Sequence, residues 1–97
     1  MKPVDPDNLT VTHNPEEKRF EIRVESHLAE LKYRMQGERI VFTHTGVPKA
    51  LEGRGVGSRL VRTGLEYARE QGLKVVAHCS FVAAYLKRHP EYQHLTT

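Results

Sequence analysis

The sequence Glu52-Gly53-Arg54-Gly55-Val56-Gly57-Ser58-Arg59-Leu60-Val61 places three glycines at alternate positions and then continues with the apolar spacing of a helix. Glycine has no Cβ, so it adopts left-handed backbone angles and lets a ligand approach the main chain. The N–H groups of a helix's first turn have no partner inside the helix, and the helix dipole adds positive charge there. This stretch therefore predicts an anion site suited to a phosphate or a diphosphate. A flexible loop that merely precedes a helix is the alternative.

Two familiar phosphate-binding motifs do not fit this glycine loop (residues 52–58). A Walker loop ends in Gly-Lys-Ser or Gly-Lys-Thr, whereas Gly57 is followed here by Ser58 and Arg59. The dinucleotide-binding fingerprint needs its third glycine one position later, where Ser58 stands. Any phosphate would be held by a different arrangement of main-chain donors, with Arg54 and Arg59 adding positive charge nearby.

The segments before the glycine loop alternate apolar and polar residues, which is the pattern of half-buried antiparallel strands. The predicted strands, separated by short turns, are residues 10–13, 19–25, 28–35 and 39–45. Pro48 ends the pattern, because proline has no N–H and fixes its own φ.

After the loop, apolar residues recur at helical spacing from about Val56 to Gln71, and Gly72 stands where a helix is expected to stop. The predicted apolar stripe is Val56, Leu60, Val61, Leu65 and Ala68. The residues predicted to face outward are Arg59, Arg62, Glu66, Arg69 and Glu70.

Residues 73–78 are a short apolar run typical of a strand that is buried on both faces. A strand, a helix and a strand of these lengths form a βαβ unit, so this strand is expected to run parallel to strand 39–45. Ser80 is predicted to cap a last helix over residues 81–88. The predicted fold class is α+β: a meander of about four antiparallel strands, a βαβ unit with one parallel pair, and a short C-terminal helix.

Composition is that of a water-soluble protein of one domain. The 97 residues contain 38% hydrophobic and 28% charged residues, and we expect one domain over 1–97 with a loose lead-in at 1–8. No apolar run is long enough to span a bilayer, and the single cysteine fits a reducing compartment, so the cytoplasm is expected. The net charge of +3 suits an anionic partner, but no basic segment is interleaved with aromatics, which disfavours nucleic acid.

Three signals converge on one edge of the predicted sheet. Ligands of open α/β sheets bind beyond the carboxyl ends of parallel strands, which here are Thr43–Val47 and His78-Cys79, and the glycine loop lies at the same edge. Cys79 also precedes a helix, a position that lowers the pKa of a thiol, although most free cysteines are small buried hydrophobes. The histidine and cysteine spacings do not match a zinc site, so we expect no metal.

His44 and Tyr85 are two further candidates for chemistry at this edge. His44 lies near the end of a strand beside the predicted site, where an imidazole could transfer a proton; a structural polar role is the alternative. Tyr85, on the last helix, could present its hydroxyl as a general acid, or could simply pack in the core.

Three stretches carry a resemblance to a known family: Thr43-His44-Thr45-Gly46-Val47-Pro48, the glycine loop, and residues 76–92 around His78-Cys79-Ser80. In this order they resemble the GCN5-related N-acetyltransferase (GNAT) superfamily, and in particular its compact single-domain branch. The resemblance runs from about residue 9 to the end of the chain. It implies a GNAT-like fold and acetyl-coenzyme A as cosubstrate.

The resemblance also implies roles for individual residues. Thr45, Gly46 and Val47 would bind the pantetheine arm through their main chain. The pyrophosphate would be held by Gly53, Arg54, Gly55, Val56, Gly57 and Ser58. Cys79 falls where the compact branch has a cysteine near the thioester, and Tyr85 falls near the superfamily's general-acid tyrosine. Glu52 departs from the Gln or Arg with which the superfamily loop usually begins.

The leading functional hypothesis is acetyl transfer from acetyl-coenzyme A to an amine, which the sequence does not identify. Direct attack would use Tyr85 as the acid and His44 or a water chain as the base, whereas a covalent route would pass through an acetylated Cys79. A coenzyme A-binding module with little or no turnover is the alternative, because the compact branch lacks the two helices that usually shape the acceptor pocket. Nucleic-acid binding through basic charge is a third hypothesis.

Overall fold

The computed structural model describes residues 9–96, which form one five-stranded sheet with the helices that pack on it. The strands are β1 (Thr12–Asn14), β2 (Arg19–Val24), β3 (His27–Gln36), β4 (Arg39–Gly46) and β5 (Lys74–Ala77). The helices are α1 (Val56–Gln71) and α2 (Ser80–Arg88), with 3-10 helices at Lys49–Leu51 and Pro90–Thr96. The predicted lead-in at 1–8 lies outside the described residues.

The sheet has the order β1-β2-β3-β4-β5, so each strand pairs with its neighbours in the chain. The first four strands are antiparallel, and β4 pairs with β5 in parallel from Arg39 opposite Lys74 to Phe42 opposite Ala77. The α+β fold class, the meander and the parallel pair predicted from the sequence are therefore confirmed.

One face of the sheet carries the core, and α1 lies against it. The apolar residues of the alternating strands point to this face, as Phe20 and Ile22 show by being almost wholly buried. At Gly64, in the middle of α1, an added Cβ would come 3.0 Å from the Phe42 ring and 3.1 Å from Leu31. The glycine therefore lets the helix approach the centre of the sheet.

The predicted apolar stripe of α1 is confirmed, but part of its predicted outer face is covered. Arg59 and Glu66 are half-buried, and the hydroxyl of Tyr92 donates a hydrogen bond of 2.6 Å to Glu66 Oε2. Tyr92 belongs to the C-terminal 3-10 helix, which returns to pack on α1. The helix's own pattern does not indicate that a later segment will partly cover Glu66.

The prediction for β5 was also wrong in one respect. This strand pairs only with β4 and so lies at an edge of the sheet, with Lys74 exposed and Val76 half-buried. A strand at an edge cannot be covered as fully as a central one.

A bulge in β4 opens the sheet beyond the parallel pair. Tyr33 pairs with Phe42 but Lys32 pairs with His44, so Thr43 is an extra residue in β4. A bulge bends its strand and increases the local twist. The pairing with β5 ends at Phe42, whose carbonyl accepts a last hydrogen bond of 3.0 Å from His78 N–H. From Thr43 onward β4 remains paired with β3 but has no partner in β5, and it lies beside the start of α2.

Candidate functional site

The opening between β4 and β5 is spanned by a polar pair. Thr45 lies on the part of β4 beyond the bulge, and Cys79 is the residue that immediately precedes α2. Thr45 Oγ1 is 3.3 Å from Cys79 Sγ. Ser80 is already the first residue of the helix, so the predicted Ser80 cap was wrong by one position, and no side-chain cap hydrogen bond forms there. The thiol itself stands at the helix N-terminus.

Opposing effects act on the Cys79 thiol. Burial raises its pKa, because a thiolate is poorly solvated there, but contacts with the Thr45 hydroxyl and with the backbone of Val82, Phe81 and Thr45 lower it. The lowering contacts prevail, and the pKa of Cys79 lies below its ordinary value. This is the direction expected for a thiol at a helix N-terminus.

The glycine loop presents its main chain to the outside. Gly53 has φ of 80° and Gly55, the N-cap of α1, has φ of 70°, which are left-handed values that favour glycine. An added Cβ at either position would meet no atom within 4 Å. The first hydrogen bond of α1 runs from Arg59 N–H to the Gly55 carbonyl, over 3.0 Å. The N–H groups of residues 56–58 come before it and have no acceptor within the helix.

Gly57 has a different environment from the two glycines before it. An added Cβ at Gly57 would lie 2.7 Å from the end of the Phe81 ring. Phe81 belongs to the first turn of α2 and remains 37% exposed. The absence of a side chain at Gly57 therefore lets α2 bring an aromatic ring next to the first turn of α1.

These elements enclose a cleft of about 390 Å³, which we call the β4 cleft. Thr45 and Val47 from the end of β4 line it together with Gly53, Gly55 and Ser58 from the glycine loop, and Phe81 adds an aromatic ring. Glu52 also lines it and is exposed. The cleft thus joins an apolar and hydroxyl-bearing channel to a set of unpaired main-chain donors, which suits a long ligand with an anionic centre.

A second cavity of about 300 Å³ lies on the other side of the loop. We call it the arginine pocket, after Arg54, Arg59 and Arg62; its remaining walls are Gly55, Ser58, Tyr85 and His89. Gly55 and Ser58 border both cavities. The first turn of α1 therefore lies between the β4 cleft and the arginine pocket.

This geometry agrees with the comparison of the sequence with known families. The sequence profile of the GCN5-related N-acetyl-transferase family matches residues 19–95, which is most of the chain. The chain belongs to the GCN5-related N-acetyltransferase family.

Known proteins similar to this family member have comparable length. Protein NATD1 of Mus musculus is 33% identical over 90 residues, a match that covers 90% of this chain and 82% of the mouse protein. Protein NATD1 of Homo sapiens is also 33% identical over 90 residues, covering 90% and 80%. The NMR structure of a GCN5-like protein from Staphylococcus aureus superposes with a TM-score of 0.72 at 37% identity, covering 91% of this chain and 87% of that one. The GNAT-like fold is thereby confirmed.

Most residues predicted to bind the cosubstrate meet at the β4 cleft of this family member. The predicted residues that line it are Thr45, Val47, Gly53, Gly55, Val56, Gly57 and Ser58. Gly46 lies between two of them in the chain, and Arg54 lines the arginine pocket instead.

The structure separates the three predicted catalytic residues. Cys79 contacts Thr45, which lines the β4 cleft, but is not itself a lining residue. Tyr85 is buried, lines the arginine pocket and stacks on His89 with ring centroids 3.8 Å apart; burial raises its pKa. His44 is exposed, and its ring lies over Gly46, where an added Cβ would come 3.1 Å from Nε2. Neighbouring strand residues point to opposite faces, so His44 and Thr45 are on different sides of β4.

Sequence reasoning missed Arg62, Phe81 and His89 as residues bordering the two cavities. Arg62 follows Ser58 by four positions and therefore shares its helix face, which was a usable signal. Phe81 and His89 carried no such signal, because their positions depend on how α2 packs beside α1.

Residues 9–96 contain no group of three or more His, Cys, Asp or Glu side chains placed to hold a metal ion. Among the same residues, no helix has both the length and the apolar character needed to cross a membrane.

Proposed function

We propose that this protein is an N-acetyltransferase that binds acetyl-coenzyme A in the β4 cleft and transfers the acetyl group to an amine. The observation that carries the proposal is that the open glycine loop and the first turn of α1 line the same cleft as Thr45, whose side chain contacts Cys79. Membership of the GCN5-related N-acetyltransferase family supports the same activity.

The residues of the cleft fit the cosubstrate in chemistry. The glycine loop would hold the diphosphate through main-chain N–H groups, since Gly53 and Gly55 leave the space above the backbone open. Thr45, Gly46 and Val47 would bind the pantetheine arm along the edge of β4 that β5 leaves free. Acetyl-coenzyme A, when bound, supplies an acetyl group activated as a thioester.

Cys79 is the proposed nucleophile, because its thiol contacts Thr45, which lines the cleft. Its lowered pKa favours the thiolate, which can attack an acyl carbonyl, so that a bond to Sγ forms as the thiolate of coenzyme A leaves. An amine would then take the acetyl group and release the Cys79 thiolate. Direct attack by the amine is the other route, with His44 as the proposed base and Tyr85 as the proposed acid.

A coenzyme A-binding module with little turnover is a second candidate, and two observations favour it. The described chain passes from β1 to β2 through residues 15–18 alone, with no helices that could shape an acceptor pocket there. Neither His44 nor Tyr85 borders the β4 cleft.

Calorimetry with acetyl-coenzyme A tests the binding half of the proposal, using Gly55→Asp against Gly55→Asn. Asp and Asn have the same shape and are the side chains that best tolerate a left-handed backbone, so both variants share any strain at φ of 70°. The carboxylate should weaken binding at least about tenfold relative to Asn, because it stands among the donors for the diphosphate. Equal affinities for the two variants would contradict the proposed site.

Turnover is tested by release of free coenzyme A in the presence of a panel of amines. Amine-dependent release is expected from the enzyme, whereas tight binding without release favours the binding module. Mass spectrometry after incubation with acetyl-coenzyme A separates the two routes, since only the covalent one adds an acetyl group to Cys79. The Cys79→Ser variant controls for nonspecific acetylation of lysines.

A further inference from the structure

The arginine pocket concentrates positive charge that the phosphate loop alone does not explain. Arg54 comes from the loop, whereas Arg59 and Arg62 come from the first two turns of α1, and all three line one cavity of about 300 Å³. Three guanidinium groups around a small cavity repel one another. Such a cluster is most stable when an anion with several oxygens lies among them, as a phosphate does.

The three arginines make no direct ion pair with a carboxylate of the described residues. The natural partner of Arg62 is Glu66, one turn further along α1. Glu66 is engaged elsewhere, because Oε1 pairs with Arg69 and Oε2 accepts the hydroxyl of Tyr92. The charge of Arg62 is therefore left for a ligand.

The pocket and the β4 cleft are adjacent on the two sides of the same first turn. Gly55 and Ser58 border both cavities, and the main-chain donors proposed for the diphosphate lie between them. A ligand with its diphosphate on this turn and its thioester arm in the cleft has its other half directed toward the arginines. In coenzyme A that half is an adenosine that carries a 3′-phosphate.

We propose that the arginine pocket binds the 3′-phosphate of coenzyme A, so that the protein selects coenzyme A over 3′-dephospho-coenzyme A. This inference rests on the proposed function, because it assumes that the diphosphate lies on the glycine loop. Arg59 and Arg62 are the specificity-determining residues, and Arg54 lies between the two phosphate groups.

Aromatic rings complete the pocket on the side of α2. Tyr85 and His89 stack with an interplanar angle of 14°, and both line the cavity. His89 Nδ1 is 2.9 Å from the Tyr85 carbonyl, which can only accept, so Nδ1 carries the proton and the ring is held in place. A rigid pair of flat rings beside a basic pocket suits a nucleotide, whose base is itself a flat aromatic group.

The test is calorimetry with coenzyme A and 3′-dephospho-coenzyme A on the wild type, Arg59→Gln and Arg62→Gln. We expect the wild type to prefer coenzyme A at least about tenfold, as charge-assisted contacts to a phosphate imply. Each variant should lose most of that preference while binding 3′-dephospho-coenzyme A within about twofold of the wild type. Arg34→Gln, on β3 and exposed, removes the same charge elsewhere and should keep the full preference.

The outcomes separate this inference from the proposed function. If the wild type binds both ligands with equal affinity, the 3′-phosphate inference is wrong and the proposed function stands. If it binds neither ligand, the proposed function fails as well. Adenosine 3′,5′-bisphosphate should compete with coenzyme A, whereas inorganic phosphate that competed equally well would reduce the pocket to a general anion site and overturn the inference.

Discussion

Thr45 Oγ1 lies 3.3 Å from Cys79 Sγ, and the two residues are separated by 34 positions in the chain. Thr45 reaches the sulfur because the Thr43 bulge bends the end of β4, and Cys79 is placed there by the end of β5. The pair links the end of β4, beyond its pairing with β5, to the N-terminus of α2. The Thr45 hydroxyl lowers the pKa of the Cys79 thiol through this contact.

The first prediction concerns the hydroxyl of Thr45. In Thr45→Val the pKa of Cys79 should rise, because a hydrogen bond that stabilises the thiolate is lost while the side-chain shape is kept. The rate of alkylation by iodoacetamide at neutral pH should therefore fall, and its pH profile should move to higher pH. Thr45→Ser retains the hydroxyl and should resemble the wild type. Identical profiles for Val and wild type would show that the contact does not stabilise the thiolate.

Glu52 offers a prediction about cosubstrate affinity. Its carboxylate lines the β4 cleft and repels a bound diphosphate, so Glu52→Gln should tighten binding of acetyl-coenzyme A about threefold at low salt. The gain should shrink as salt is added, because Glu52 is exposed and its charge is screened. Glu38→Gln makes the same charge change in the turn between β3 and β4 and should have a smaller effect. Weaker binding by Glu52→Gln would indicate that the carboxylate has a favourable contact.

Gly64 provides a prediction about stability. Alanine in a helix is ordinarily favoured over glycine by about 1 kcal/mol. Here the added Cβ would press on Phe42 and Leu31, which are fully buried and cannot give way, and overpacking costs about 1–3 kcal/mol. Gly64→Ala should therefore lower the free energy of unfolding by about 1 kcal/mol in urea titrations. Glu70→Ala, on the exposed face of α1, should leave it nearly unchanged. An increase in stability would show that the sheet relaxes around the methyl group.

The raised pKa of Tyr92 implies that the free energy of unfolding falls at alkaline pH. Burial, and then the hydrogen bond to Glu66, raise the pKa of Tyr92 to about 12. Because the folded value lies above the unfolded value of about 10, the stabilisation is complete below that pH and is lost as pH rises toward about 12. Tyr92→Phe should be less stable at neutral pH and should lose less further stability across this window. Burial also raises the pKa of Tyr33 and Tyr85, so some alkaline slope should remain. Equal slopes for wild type and variant would contradict the assignment.

The order of elements was predictable because it depends on local periodicity. Alternation in residues 19–25 and 28–35 buries one face of each strand, and the spacing of Val56, Leu60 and Leu65 buries one stripe of a helix. Gly55 at the start of α1 has the left-handed backbone angle that the glycine-rich sequence permits. These features require only the residues of one segment, and the structure confirms the order of the elements.

The details of the candidate site required contacts between distant segments. Nothing local in residues 39–46 indicates that Thr43 is an extra residue, since the bulge appears only when β4 pairs with β3. Likewise, the cover of Glu66 by Tyr92 and the place of Tyr85 in the arginine pocket depend on how α2 and the C-terminal helix pack beside α1.

The sequence by itself determined the strands, the helices, the parallel pair and the loop that offers its main chain to an anion. The tertiary structure alone decided which distant side chains meet: Thr45 contacts Cys79, and Arg62 and His89 line the arginine pocket together. The physical reason is that the spacing of apolar residues within one segment determines which face of that segment is buried. The meeting of two side chains far apart in the chain is set by the bend of β4 and by the close approach of the helices to the sheet.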